Sequence, residues 1–313
     1  MIDIIAKKAK VSRSTVYRVI KNDPAVAIST AEQVRKVMSQ LSFKPTPNKT
    51  PAASRAKKRN QTGTRNVGFI LSGLPDHAMG RPHLLGIIKG VETLLREHGI
   101  NMILTRASHH KDFPPIFDEG KVDGIIFYRY CTDIQPDMQR HLRSAPLVWM
   151  QDAVFDYGDE VLPNHEISGR LAAAYLLEKG HTHLAYLNPI RAHLAFHLRG
   201  QTFQSVVQSA GGRAEMLIAG SNPAEPDPLT DGLHMQTISR LIDAFCRLSP
   251  RPTGLYVPED LVAVSVYHEL NQRGIRPGTD VDIVSCNNER PLLDLLHPRP
   301  ATVDLFPEVV GRR

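Results

Sequence analysis

Cysteine is scarce. Cys131, Cys246 and Cys286 stand far apart in 313 residues and form no C-x-x-C pair, which gives neither a disulfide framework nor a zinc-site spacing. Long apolar runs are absent. No stretch reaches the about 18 residues that a membrane-spanning helix needs, and Lys7, Lys8 and Lys10 lead into no apolar segment of the kind a secretory leader carries. A cytoplasmic protein is expected. Phosphate-cradling motifs are also missing: Gly211-Gly212 sits in neither a G-x-G-x-x-G nor a Walker pattern, and the G-x-S-x-G elbow of hydrolases does not occur. Fourteen histidines are present, but the closest groupings, His109-His110 and His181-Thr182-His183, have no carboxylate or cysteine at ligand spacing. They read as surface residues, with His181 following a helix-ending Gly180. Asp159-Glu160 reads as loop charge. The expectation is no metal, no cofactor and no catalysis.

Acidic residues are lacking at one end of the chain. Residues 1–66 hold 15 Lys and Arg against Asp3, Asp23 and Glu32, a net charge of +12, whereas residues 67–313 hold 23 basic and 29 acidic residues, a net −6. A basic head on an acidic body suits a nucleic-acid binder: the head draws phosphates by counterion release, and the body stays off the duplex. The length favours two or three domains.

The head carries three short helical patterns. Ile2, Ile5, Ala6 and Ala9 share one arc of a 3.6-residue period, and the neighbouring lysines fall outside it. A second helix is expected to begin at Ser12, a good N-cap residue. Its apolar side is Thr15, Val16, Val19 and Ile20; its other side offers Arg13, Ser14, Tyr17 and Arg18. Arginine reaches guanine bidentately, and Ser or Tyr reaches bases or phosphates. The third pattern opens on Ser29-Thr30-Ala31-Glu32, which has capping-box spacing, and continues with a stripe of Val34, Val37, Met38 and Leu41. Three helices with tight turns, the middle one polar outside, describe a helix-turn-helix module.

The run from Ile5 to Ile20 resembles the headpiece of lactose-repressor (LacI) family regulators. Its A-x-x-A-x-V-S-x-x-T-V-x-R-V pattern is met letter by letter from Ala6 to Val19, and Val34…Met38…Leu41-Ser42-Phe43-Lys44-Pro45 is similar to the family's third helix and exit. The resemblance implies that Arg13, Ser14 and Arg18 enter the major groove. With Ser12, Thr15, Tyr17, Ser29 and, in the linker, Arg55, they form the expected DNA-binding set. Two departures stand out. Ile4 falls where relatives carry an acid, and Lys10 falls where they carry a turn glycine, so Lys10 is expected to take a positive φ. Residues 44–66 form a Pro-, Ser- and Lys-rich tether. In the resembled family this segment folds into a hinge helix whose leucine wedges into the minor groove. Here no Leu, Ile, Val, Phe or Met occurs between Phe43 and Val67, so weak bending of the DNA is expected.

From Val67 on, short apolar runs alternate with helical stretches. The runs lie at 67–71, 101–104, 124–127, 147–150, 184–187, 254–257 and 281–284. This is the grammar of parallel α/β sheets, which bind ligands at the carboxyl ends of their strands. The family resemblance extends through residues 165–181, 258–263 and 280–288. It implies a periplasmic-binding-protein-like sensor of two Rossmann-like subdomains with an effector cleft between them, closure of which repositions the headpieces of a homodimer. Candidate effector contacts are Ser72, Gln151, Arg199, Glu259, Asp260 and Asn287. Asn287 and Asn288 stand where relatives place Asp-Asp, a change that weighs against a simple sugar. The expected domains are a headpiece at 1–45, a linker at 46–66 and an effector-binding and dimerisation domain at 67–313 that lacks the relatives' last helix. The function implied is a repressor of a palindromic double-stranded DNA operator, controlled by a sugar or related polar metabolite. The alternatives are a periplasmic-type binding protein with a non-functional head, or an enzyme on an α/β scaffold.

Overall fold

A computed structural model describes residues 2–20, 28–40, 63–74, 76–107, 113–117, 119–130, 134, 136–143, 145–151, 157–191, 193–220 and 235–313. The chain divides into two compact units, Met1–Lys57 and Lys58–Arg313.

In the first unit, α1 (Ile2–Lys8), α2 (Arg13–Ile20) and α3 (Ile28–Gln40) enclose a small apolar core. Ile5, Ala6 and Ala9 meet Val16 and Val19, and both groups meet Ala31, Val34, Val37 and Met38. All but Ala31, which belongs to the capping-box segment, are positions whose helical period marked them as inward-facing. The turn between α1 and α2 places Lys10 at φ 50°, in the left-handed region anticipated from the missing glycine. Ser12 caps α2: its Oγ accepts from the Thr15 backbone N–H at 3.1 Å, and its hydroxyl shares a 2.8 Å hydrogen bond with that of Thr15. The third helix differs slightly from expectation. It already includes Ile28, so Ser29 lies within the first turn and is not its cap; such ends shift by a residue or two.

The second unit is built from two lobes. The first lobe comprises β1 (Asn66–Ser72), α4 (Pro82–Glu97), β2 (Asn101–Ala107), β3 (Gly124–Arg129), α5 (Pro136–Leu142), β4 (Leu147–Met150) and β5 (Asp159–Val161). The second comprises α6 (His165–Glu178), β6 (His183–Asn188), α7 (Leu194–Ser209), β7 (Arg213–Ile218), α8 (Met235–Arg247), β8 (Gly254–Tyr256), α9 (Asp260–Gln272), β9 (Asp282–Cys286), α10 (Arg290–Leu293) and β10 (Ala301–Val303). The sheets run β2-β1-β3-β4-β5 and β10-β9-β8-β6-β7, with every pair parallel. Read in chain order within each lobe, both are the same 2-1-3-4-5 doubly wound arrangement, which places a crevice at each switch point.

The strands have apolar residues on both faces because helices cover both faces. Along β1, Ile70 joins Phe127 and Trp149 on one side of the sheet, while Phe69 and Leu71 join Leu84, Ile87 and Tyr128 on the other. The second sheet splits likewise, with Ala185, Leu187 and Leu255 on one side and Leu184, Tyr186 and Tyr256 on the other. After β10 the chain returns to the first lobe as α11 (Pro307–Arg312), which packs on α4. Gly90 permits this approach: a Cβ there would sit 2.3 Å from the Glu308 carbonyl oxygen.

Each of the seven apolar runs coincides with a strand, with Val257 just after β8 and Val281 just before β9. The strands not anticipated are β5, β7 and β10. Two are three residues long, and β7 is an edge strand of intermediate exposure that mixes Arg213 and Glu215 with apolar residues.

Candidate functional site

The two units each present one candidate surface. In the headpiece, Ser12, Arg18 and Ser29 are exposed, and Thr15 and Tyr17 are half-buried. The Thr15 hydroxyl is engaged with Ser12 at the helix cap. Arg13 and Ser14 lie in the first turn of α2, with side chains outside the described set, and Arg55 and the rest of the linker through residue 62 lie outside the described residues.

In the body, a cavity opens where the two lobes meet, at the carboxyl ends of their strands. The first lobe supplies Arg81 and His83 at the start of α4, Tyr128, Arg129 and Tyr130 at the end of β3, and Gln151 after β4. The second supplies His193, Phe196 and Arg199 on or beside α7, Glu259 after β8 and Asn287 after β9. Of the six expected effector contacts, Gln151, Arg199, Glu259 and Asn287 line this cavity; Ser72 and Asp260 do not. Asp260, fully buried, accepts from the Ser285 hydroxyl, from the Thr302 hydroxyl at 2.9 Å and from the Glu289 backbone N–H at 2.5 Å. It therefore holds the loop behind the cavity wall. Burial raises its pKa to about 6 against these hydrogen bonds. Ser72, at the end of β1, is buried and accepts from the Tyr130 backbone N–H through its carbonyl.

Arg81 had no sequence signal of its own. It precedes the first helical residue, Pro82, and its guanidinium crosses to the other lobe. Nη2 lies 2.7 Å from Glu259 Oε2 and 3.2 Å from Glu289 Oε2, and the His83 backbone N–H donates to Glu289 Oε1 at 3.2 Å. Burial opposes the charge on Arg81, but the two carboxylates outweigh it and raise its pKa. A buried ion triad thus ties the lobes together. The Gln151 amide donates to His83 Nε2 at 2.7 Å, which leaves the ring proton on Nδ1. Burial and the nearby Arg199 and Arg81 hold the His83 pKa down at about 3, so the ring is neutral. His165 is also held at about 3, by burial and by Arg199, whose Nη2 lies 3.3 Å from its Nδ1. Arg199 also donates to the Pro258 carbonyl through Nη1. His193 stacks on Phe196 with ring centroids 4.0 Å apart.

Two cavity residues sit in the left-handed backbone region, Gln151 at φ 72° and Asn287 at φ 110°. Such strain collects at ligand sites, where the surrounding structure fixes a side chain's direction. Among the described residues no three His, Cys, Asp or Glu side chains are grouped to hold a metal, and no helix is long and apolar enough to cross a membrane.

Comparison with known proteins places both units. Residues 1–46 match the family of bacterial regulatory proteins of the lacI type, and residues 173–313 match the periplasmic binding protein-like domain. The HTH-type transcriptional repressor PurR of Vibrio cholerae serotype O1 is 27% identical over 316 residues, covering 98% of this chain and 87% of the relative. A transcriptional regulator CelR–cellobiose complex superposes with a TM-score of 0.65 at 20% identity, covering 100% of this chain and 90% of that one. A Lac repressor dimer bound to operator and the anti-inducer ONPF gives 0.60 at 19% identity, covering 98% and 88%. Residues 1–46 thus carry a lacI-type regulatory headpiece and residues 173–313 a periplasmic binding protein-like domain, the arrangement of a DNA-binding regulator with a ligand-binding body.

Proposed function

We propose that this protein is a cytoplasmic repressor that binds a palindromic DNA operator as a homodimer and is controlled by a small ligand in the cavity between its lobes. In this reading residues 1–45 are the DNA-binding headpiece, 46–66 the linker and 67–313 the effector-binding and dimerisation domain. Arg13, Ser14 and Arg18 read bases in the major groove. Ser12, Thr15, Tyr17, Ser29 and Arg55 hold phosphates or orient the recognition helix. Gln151, Arg199, Glu259 and Asn287 contact the effector, while Asp260 and Ser72 act behind the wall. The protein regulates transcription and is not an enzyme.

The observation that carries this reading is the joint occurrence of a basic headpiece with an exposed Arg18 and a buried polar cavity bridged by Arg81. A ligand that binds between two lobes can bias their angle, and that bias is the coupling a sensor needs. A selection of genomic fragments by the full-length chain tests it. Enrichment of a two-fold-symmetric sequence, with half-sites in successive major grooves, is expected. Recovery of fragments without a shared sequence would favour a binding protein with a non-functional head.

A further inference from the structure

The first helix of the first lobe takes its N-terminal cap from the second lobe. Helix α4 begins at Pro82, and Arg81, at its N-cap position, makes no side-chain capping hydrogen bond. The first backbone N–H groups of a helix have no partner within it. Here the His83 N–H donates to Glu289 Oε1 at 3.2 Å, on the loop after β9. The negative charge of Glu289 is favourably placed at the positive end of α4. Its other oxygen lies 3.2 Å from Arg81 Nη2, which also reaches Glu259 Oε2 at 2.7 Å. The Tyr130 ring, just after β3, crosses the same gap and meets the His193 ring edge-on, with centroids 5.5 Å apart. Among the described residues the chain itself passes between the lobes at 162–164 and 304–306. At the second crossing Phe306 has a left-handed φ of 49°, a conformation that persists only where surrounding contacts hold it.

The side chains of Arg81, Glu259 and Glu289 are 13%, 5% and 1% exposed, so salt screens their attraction little. The two carboxylates outweigh the cost of burying Arg81 and raise its pKa. Parting the lobes therefore breaks a favourable ion triad and strips α4 of its cap in one movement. We propose that Arg81 and Glu289 form a strap that holds the two lobes together at the start of α4, and that its release is the step by which the body opens. The strap is made by this chain's own side chains. It sets how readily the lobes part, and a ligand that favours joined or parted lobes works with it or against it. Its effect on operator binding rests on the regulator reading above.

Hydrogen–deuterium exchange of the full chain, read by mass spectrometry, tests the strap. In Arg81→Gln the amides of residues 83–85 and 287–290 are expected to exchange at least about tenfold faster, while the buried strand segments 69–71 and 184–187 keep their natural rates. A merely destabilised fold would speed all four segments alike. Arg129 and Arg199 remain on the cavity wall in this variant. Should it fail to fold, Glu289→Gln is the second variant. It leaves Arg81 paired with Glu259 and keeps an acceptor for the His83 N–H, and it is expected to speed the same two segments by a smaller factor. Unchanged exchange at 83–85 and 287–290, or equal acceleration of all four segments in both variants, would overturn the strap. The dissociation constant for a selected operator is the second readout, and it is expected to change at least about fivefold in Arg81→Gln. An unchanged constant beside faster local exchange would overturn the regulatory role of the strap. A chain that selects no shared DNA sequence would remove the regulator reading, and the exchange pattern would still decide the strap.

Discussion

Lys10 holds a backbone conformation that costs an L-residue about 1–2 kcal/mol, at φ 50° in the turn between α1 and α2. The turn is fixed on both sides. Ala9 is buried in the headpiece core, and the Val11 backbone N–H donates to the Ala6 carbonyl at 3.0 Å. Lys10→Gly relieves the conformational cost, and the larger entropy of glycine in the unfolded chain returns part of it. The expected outcome is a headpiece stabilised by up to about 1 kcal/mol, read as a higher midpoint in denaturant unfolding of the full chain. A lowered midpoint would show that the Lys10 side chain contributes more than its backbone loses. This position was legible in the sequence because the resemblance marked a glycine's place. Arg81 was not. An arginine just ahead of a proline-started helix carries no signature, and its importance comes from Glu259 and Glu289, 178 and 208 residues away. Asp260 misled for the opposite reason. It neighbours Glu259 in sequence, but as the first residue of α9 it turns inward to the Glu289 loop while Glu259 faces the cavity.

Helix crossings set the positions of the cavity residues. Arg199 lies on α7, and α7 packs tightly on α6 through Gly169: a Cβ there would sit 2.2 Å from the Arg199 carbonyl oxygen. Replacing this glycine by alanine favours the isolated helix by about 1 kcal/mol. It also forces two backbones apart, and overpacking of this kind costs about 1–3 kcal/mol. Gly169→Ala is therefore expected to destabilise the body and to shift Arg199 away from the Pro258 carbonyl. Urea denaturation measures the first effect, and a stabilised variant would contradict the close-packing argument. The elements most legible in the sequence were the central strands, where both faces are buried and apolar residues run on. The edge strands β5, β7 and β10 were lost because one side faces solvent or because three residues carry too short a pattern. The headpiece helices were legible because their inward faces repeat every three to four residues.

Three neutral histidines among the described residues lie at the lobe interface, and they link stability to pH. His83, His165 and His193 have pKa values of about 3 in the folded protein against 6.5 in an open chain. The unfolded chain therefore binds their protons first as the pH falls. That term lowers stability from about pH 6.5 downward and recovers as pH rises. Asp260 works in the opposite sense. Raised to about 6, it binds its proton in the folded state first, so its term lowers stability as pH rises from about 4 to 6. Between pH 5 and 6 three histidines oppose one aspartate, leaving an excess of roughly two protons in the unfolded state. That corresponds to about 2.7 kcal/mol of stability lost per pH unit of acidification. Melting temperatures measured from pH 7 to pH 5 are expected to fall; a constant or rising value would contradict the burial assigned to these rings. At this scale the charge split between head and body, the two-lobed α/β architecture and the lacI-type headpiece were all legible in the sequence. The ion triad between the lobes was not, because its three partners are brought together only by the tertiary fold. The central claim is that α2 reads DNA through Arg18, and the most direct test is the dissociation constant for a selected operator at fixed salt, for the natural chain and for Arg18→Ala. The natural chain is expected to favour the operator over scrambled DNA by at least about a thousandfold. Arg18→Ala is expected to lose about 1–3 kcal/mol on the operator and to discriminate less well at one position of each half-site. Equal affinity and unchanged sequence preference for the two proteins would contradict the account.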